Sequence, residues 1–137
     1  MSNNLPNVNY VERPVWSDAI RGKRAEVWFH RFRSAWDLAS IVCGEHVTEE
    51  EYEEAKKLLD SIQRYALADA AEWERENSSE RYCNSQYHKD REKQLDARRE
   101  RLQKRLARYG LKMENYGLYP SVVDASGTNK YMLHYFD

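Results

Sequence analysis

Residues 80–109, ERYCNSQYHKDREKQLDARRERLQKRLARY, decide how this chain is expected to fold. The stretch predicts one helix, which at roughly 1.5 Å per residue would be about 45 Å long. Its main apolar stripe is narrow and consists of Leu95, Leu102, Leu106 and Tyr109. So thin an apolar face buries only part of a helix. We therefore expect most of its surface to face solvent or a charged partner.

Two further helices precede this stretch. Over residues 15–43, apolar side chains recur at the i, i+3, i+4, i+7 spacing of an amphipathic helix, and Gly44 follows as a C-terminal cap. Thr48 and Glu51 form the pattern of a capping box, which predicts that the next helix begins at Glu49. We expect it to span residues 49–77, so that the chain contains three helices before residue 110.

The two ends of the chain differ from this helical middle. Residues 1–13 are polar and predict a flexible arm, whereas residues 111–136 combine aromatic and β-branched side chains with turn residues. The predicted fold is therefore mainly α, a three-helix bundle with one long charged helix and a small C-terminal antiparallel β-hairpin or sheet. A length of 137 residues suits one domain, which we place at residues 14–137.

Composition excludes several classes of protein. The first ten residues lack the basic and apolar regions of a signal peptide, and no apolar run reaches the roughly 18 residues of a membrane span. Two cysteines are too few for a disulfide scaffold. We expect a cytoplasmic protein without a membrane partner. The net charge of −1 provides no overall attraction to nucleic acid.

One set of side chains has the composition of a metal site. Cys43, His46, Cys83 and His88 offer two thiols and two imidazoles, which is a complete tetrahedral zinc set. In an up-down-up bundle, however, the first two residues lie at one end and the last two at the other. We therefore predict no metal, two ordinary thiols and two solvent-facing histidines.

A second set has the composition of a catalytic triad. Glu26, His30 and Ser34 share one helix face, but a serine in mid-helix has neither a strained turn nor free backbone N–H groups to form an oxyanion hole. The five glycines are isolated, so no phosphate-binding loop is present. We predict that the chain is not an enzyme and uses no cofactor.

Charge is distributed unevenly along the chain. Residues 45–60 hold seven acidic and two basic residues, whereas residues 89–108 hold nine basic and four acidic ones. On a helical wheel, five bases lie beside the leucines and form what we call the basic stripe: Arg98, Arg101, Lys104, Arg105 and Arg108. Such a stripe can bind an acidic protein surface, track phosphates, or simply remain solvated near the negative end of a helix dipole.

Aromatic residues provide a second candidate surface. Tyr116 and Tyr119 lie in the C-terminal β unit, and tyrosine and arginine are common anchors of protein interfaces. Packing of these rings against the helices is the alternative. The four tryptophans are assigned mainly to the core. The leucine stripe of the third helix also resembles a short coiled-coil edge, which makes a homodimer through that helix possible.

A short polar arm, three charged helices and a terminal aromatic hairpin together resemble the plan of small phage-encoded accessory proteins, including inhibitors of host defence such as anti-CRISPRs. The resemblance implies a binding role and assigns no residue. We therefore expect a non-enzymatic binding or regulatory protein that docks on a larger protein or nucleoprotein through the basic stripe, Tyr116 and Tyr119. Nucleic-acid binding through the same stripe is the alternative.

Overall fold

The computed structural model of the protein describes residues 8–115, 121–124, 126–127 and 130–132. Its helices are α1 (Lys23–Cys43), α2 (Glu49–Ser78), α3 (Glu80–Cys83) and α4 (Gln86–Ala107). Its strands are β1 (Tyr10–Val11), β2 (Val47–Thr48), β3 (Leu111–Asn115), β4 (Ser121–Asp124) and β5 (Lys130–Met132). The prediction of a mainly α fold with a small β part is confirmed.

The central element is α2, against which α1 and α4 both pack. It begins at Glu49, as predicted, because both reciprocal hydrogen bonds of the capping box form. The Glu51 backbone N–H donates to Thr48 Oγ1 at 3.2 Å, and the Thr48 N–H donates to Glu51 Oε1 at 2.9 Å. At 30 residues, α2 is the longest of the helices that the structure describes.

The first helix is shorter than predicted. It begins at Lys23 and not at residue 15, because Gly22 has φ 85°, a left-handed conformation that cannot continue a right-handed helix. Its end agrees with the prediction. Gly44 has φ 79° and donates its backbone N–H to the Ser40 carbonyl at 2.8 Å, which terminates α1 at Cys43.

The expectation of one helix over residues 80–109 was wrong, since the stretch divides into α3 and α4. The break lies at Asn84 and Ser85. The Ser85 hydroxyl accepts the His88 backbone N–H at 3.1 Å and thereby begins a new helix. Ser79 caps α3 in the same manner, accepting the Tyr82 N–H at 3.2 Å.

The predicted flexible arm is ordered over residues 8–13. Its strand β1 pairs antiparallel with β2, with Tyr10 opposite Thr48. The Trp36 indole donates to the Val11 carbonyl at 2.7 Å, and Arg13 Nε donates to Asp37 Oδ1 at 2.9 Å. These bonds hold the segment against α1 and the start of α2. The polar composition of residues 8–13 does not prevent them from packing against the helices, because most of the hydrogen bonds that hold this segment involve backbone groups.

The C-terminal strands form an antiparallel sheet in the order β3-β4-β5. Met113 lies opposite Val122, and the register shifts between Met113 and Asn115. The sheet contacts α4 through β3. Residues 116–120 and 133–136 of the predicted β unit, which include Tyr116 and Tyr119, lie outside the described residues.

The core lies between α1, α2, α4 and the sheet, and it uses the leucine stripe of α4. Leu95, Leu102 and Leu106 are all buried against the chain's own core, so they do not provide the free surface that the predicted homodimer requires. The tryptophan assignment was wrong for Trp16, Trp28 and Trp73, which are 43%, 56% and 64% exposed, whereas Trp36 packs against the core of the described residues. Within the described ranges, no helix has the length and apolarity needed to cross a bilayer.

Candidate functional site

A polar cavity of about 330 Å³ lies between α2 and α4, and its lining is dominated by guanidinium groups. Buried Leu102 forms its apolar part. We call this site the arginine groove, and its residues are Ser61, Arg64, Arg98, Arg101, Leu102 and Arg105. Helical periodicity explains the arrangement, because residues 98, 101 and 105 share one face of α4 and residues 61 and 64 share one face of α2.

The groove carries an excess of positive charge. Arg64 Nε pairs with Asp60 Oδ2 at 3.1 Å, and Asp60 also contacts Arg31 at 3.4 Å. Among the described residues, no carboxylate lies within 4.0 Å of the guanidinium of Arg98, Arg101 or Arg105. Arg105 instead donates to the neutral Ser61 hydroxyl at 3.0 Å. Three guanidiniums therefore share one cavity without an ionic partner in that part of the chain.

The structure brings together three residues of the predicted basic stripe, namely Arg98, Arg101 and Arg105. Lys104 is exposed on the same helix, Arg108 is exposed immediately after its last residue, and neither lines the groove. The predicted aromatic contributors, Tyr116 and Tyr119, fall outside the described residues. The prediction missed Ser61 and Arg64, whose only sequence signal is their i, i+3 spacing on α2.

Arg99 has a different role from its neighbours. Its Nε donates to the Tyr65 hydroxyl at 2.8 Å, and its guanidinium carbon lies 5.8 Å from the centre of the Tyr65 ring. Tyr65 is fully buried, and burial raises the pKa of its phenol. Arg99 therefore fixes the packing of α4 on α2 and turns away from the groove.

A second cavity, of about 470 Å³, lies between α1 and α2 beside exposed Trp28, but its charges are mostly matched. Arg31 pairs with Asp60 at 3.4 Å, Lys56 with Glu53 at 3.5 Å, and Lys57 with Glu54 at 3.8 Å. Paired surface charges are largely satisfied by one another. This contrast separates the arginine groove from an ordinary charged surface.

A cluster of carboxylates surrounds His88, which was predicted to face solvent and is only 6% exposed. Its Nδ1 lies 3.0 Å from Glu72 Oε1, and its Nε2 lies 3.1 Å from Glu92 Oε1 and 3.6 Å from Glu76 Oε1. The Tyr82 hydroxyl also donates to Glu72. We call Glu72, Glu76, His88 and Glu92 the His88 cluster. Sequence reasoning missed it because its members come from two helices.

The electrostatics of the cluster favour the imidazolium. The hydrogen bond to Glu72 raises the pKa of His88, and the charges of Glu92 and Glu76 add to this effect against the opposing influence of burial. Burial alone would raise the pKa of Glu72, but hydrogen bonds from Tyr82 and His88 outweigh it and hold that pKa below its usual range.

The two side-chain sets that the sequence offered for zinc binding and for a catalytic triad remain apart or enclosed. Cys43 lies near Glu51 at the start of α2, whereas Cys83 donates its thiol to the Glu76 carbonyl at 3.2 Å near the end of that helix. Both cysteines are free. Ser34 is buried at 2% exposure, so its hydroxyl does not face an open cleft where a substrate could bind.

No family model, curated protein or solved structure shows a significant match to the chain. What the protein does therefore has to follow from its own residues, above all from the arginine groove.

Proposed function

We propose that this chain is a non-enzymatic binding protein that docks on an anionic surface of a larger protein or nucleoprotein through the arginine groove. The observation that carries the proposal is the set of three guanidiniums, from Arg98, Arg101 and Arg105, for which the described part of the chain provides no carboxylate within 4.0 Å. Arginine binds carboxylates and phosphates in a bidentate geometry that lysine cannot reproduce.

The energetics favour a binding role over a merely solvated face. Like charges repel, so gathering Arg64, Arg98, Arg101 and Arg105 around one cavity opposes folding unless an anion occupies it. Within the described ranges, a carboxylate pairs with Arg64 alone of these four arginines, through Asp60. A cavity walled by the buried Leu102 side chain also weakens solvent screening, which strengthens attraction for an incoming anion.

The charge of the rest of the chain supports a protein or nucleoprotein partner. Residues 45–60 carry a local charge of −5, and the whole chain carries −1, so a long polyanion meets repulsion outside the groove. A compact acidic patch on a protein, by contrast, can contact the groove without approaching the acidic residues 45–60. The resemblance to small phage-encoded inhibitors supports extending the proposal to a cytoplasmic protein that acts by covering its partner's working surface.

The first test is charge reversal in the groove against a matched control. R98E/R101E reverses two groove charges, and K93E makes the same kind of change at an exposed position of α4 outside the groove. Tagged proteins are used for copurification and mass spectrometry, after circular dichroism shows that each variant is folded. We expect partners captured by the parent and by K93E to be lost with R98E/R101E. Identical partners for all three would contradict the proposal.

Direct nucleic-acid binding through the same groove is the second candidate, favoured by the alignment of Arg98, Arg101 and Arg105 along α4. Three phosphate contacts predict a slope of about −2.7 for log affinity against log salt, or roughly 40-fold weaker binding between 50 and 200 mM salt. Fluorescence anisotropy with a labelled DNA duplex and single strand measures this. A slope that flattens in R98E/R101E supports this candidate, whereas absence of binding at 50 mM salt excludes it.

A further inference from the structure

The His88 cluster is built from matching pairs on two helices. Glu72 and Glu76 are spaced i, i+4 on α2, and His88 and Glu92 are spaced i, i+4 on α4. Each pair therefore projects from one helix face toward the other helix. Metal sites in helical bundles are commonly formed in this manner, from carboxylates and histidines on facing helices.

Three atoms of the cluster are already close to the spacing of metal ligands. One ligand atom each from Glu76, His88 and Glu92 lies within 4.8 Å of the others. With metal–ligand bonds of about 2.0–2.1 Å, tetrahedral ligands are about 3.3 Å apart. The distances from His88 Nε2, 3.1 Å to Glu92 and 3.6 Å to Glu76, fall on either side of that value. The ligand atoms of Glu76 and Glu92 lie within 4.8 Å of each other, so small side-chain movements suffice to reach ligand spacing.

Glu72 provides an independent indication that His88 is positioned as a ligand. It is only 2% exposed, and its Oε1 accepts from His88 Nδ1 at 3.0 Å, which directs Nε2 toward Glu76 and Glu92. A carboxylate on the far nitrogen of a histidine is the usual outer-shell partner of metal-binding imidazoles. Burying that carboxylate is costly, and its partners Tyr82, His88 and Arg75, whose Nη1 lies 3.5 Å from Glu72 Oε2, offset the cost.

We propose that Glu76, His88 and Glu92 bind a divalent transition-metal ion of the Zn²⁺ class, with Glu72 as the outer-shell acceptor that orients the imidazole. Two carboxylates neutralise the charge of the ion, and the imidazole favours Zn²⁺ or Co²⁺ over Mg²⁺ or Ca²⁺. The ion takes the place of the proton on Nε2. Three protein ligands leave a fourth position for water or a group from a partner.

The test uses the full chain, stripped with a chelator, and Zn²⁺ alone as the titrant in isothermal titration calorimetry. E76Q and E92Q each remove one ligand from a side chain that remains partly exposed, so both variants are expected to fold. E100Q is the matched control, because Glu100 is an exposed acid on α4 outside the cluster. C83S and H46Q test whether a thiol or the other candidate histidine binds the metal instead.

We expect one equivalent of Zn²⁺ to bind the parent, E100Q, C83S and H46Q. E76Q and E92Q should weaken binding more than E72Q, for which loss of an outer-shell partner predicts a roughly 10- to 100-fold decrease. The visible spectrum of bound Co²⁺ should change in E92Q and not in E100Q. Failure of the parent to take up Zn²⁺ or Co²⁺, or equal affinity in E92Q and the parent, would overturn the proposal.

Discussion

Replacing Thr48 by alanine tests the start of α2, on which the whole helical arrangement depends. The threonine hydroxyl accepts the Glu51 N–H at 3.2 Å, and the Thr48 backbone N–H donates back to the Glu51 carboxylate at 2.9 Å. T48A removes the first bond and leaves the second. It also leaves the backbone pairing of Thr48 with Tyr10 unchanged.

The expected cost follows from the single bond that is lost. Loss of an N-cap hydroxyl lowers the free energy of unfolding by about 1 kcal/mol, within a range of roughly 0.5–2 kcal/mol. Nine buried residues of α2 remain in place, so the loss should stay within the first turn. For a chain of this size, about 1 kcal/mol corresponds to a decrease in Tm of about 3–5 °C.

Urea denaturation followed by far-UV circular dichroism at neutral pH measures this difference. With a slope of about 1–3 kcal/mol/M, the midpoint of T48A should fall by about 0.3–1 M. T48S keeps the hydroxyl and should match the parent. The reasoning is refuted if T48A lies within about 0.3 kcal/mol of the parent, or if T48S is as unstable as T48A.

Three other outcomes test the local chemistry. Hydrogen bonds from the Cys43 thiol and from the Thr48 N–H and hydroxyl hold the pKa of Glu51 below 4.5. The charged Glu51 carboxylate therefore stabilises the fold above pH 4.5, and this stabilisation is lost as the pH falls through the lowered pKa. E51Q should flatten the dependence of the urea midpoint on pH in acid. Burial and Glu51 raise the pKa of Cys43 from 9.0 to about 12, so iodoacetamide at pH 8 should alkylate it about 1,000-fold more slowly in the folded than in the unfolded protein, measured by peptide mass spectrometry. Leu106 is fully buried, and L106A should lower the free energy of unfolding by about 2–5 kcal/mol in urea titrations.

Elements with a strong local signal could be predicted from the sequence. The capping box fixes the start of α2 at Glu49, and Gly44 marks the end of α1 at Cys43. Both signals act within a few residues. Ser85 is also a cap, but it lacks a carboxylate at the third helical position, where His88 stands. The prediction therefore extended one helix across the boundary between α3 and α4.

The candidate sites were predictable only where they lie on one helix. The 3.6-residue period alone places Arg98, Arg101 and Arg105 on a common face of α4. The period cannot reveal which residues of α2 face them, because that depends on how the two helices rotate and slide against each other. Ser61 and Arg64 therefore went unnoticed. The same missing information hid the pairing of Glu72 with His88.

One packing arrangement accounts for both sites. Among the contacts that join α2 to α4 are Ser61 with Arg105, Tyr65 with Arg99, and Glu72 with His88. As the residue number rises on α2 it falls on α4, so the helices are antiparallel. The groove therefore lies where the arginine-rich end of α4 meets the middle of α2, and the His88 cluster lies where the start of α4 meets the last turns of α2.

The two sites should consequently respond only weakly to each other's charge changes and together to packing changes. Arg98 of the groove and Glu92 of the His88 cluster are six residues apart on α4, which is about 9 Å and comparable to the roughly 10 Å over which charges interact at 0.1 M salt. R98E/R101E adds negative charge near the cluster, so Zn²⁺ affinity, measured by calorimetry, should not fall and should rise by less than about tenfold. R99A should weaken both partner binding at the groove and Zn²⁺ binding at the His88 cluster. It removes the hydrogen bond to Tyr65 that fixes α4 against α2 between the two sites. Strong loss of Zn²⁺ binding in R98E/R101E would mean that the groove charges also hold α4 in place, and the sites could not then be treated as separate.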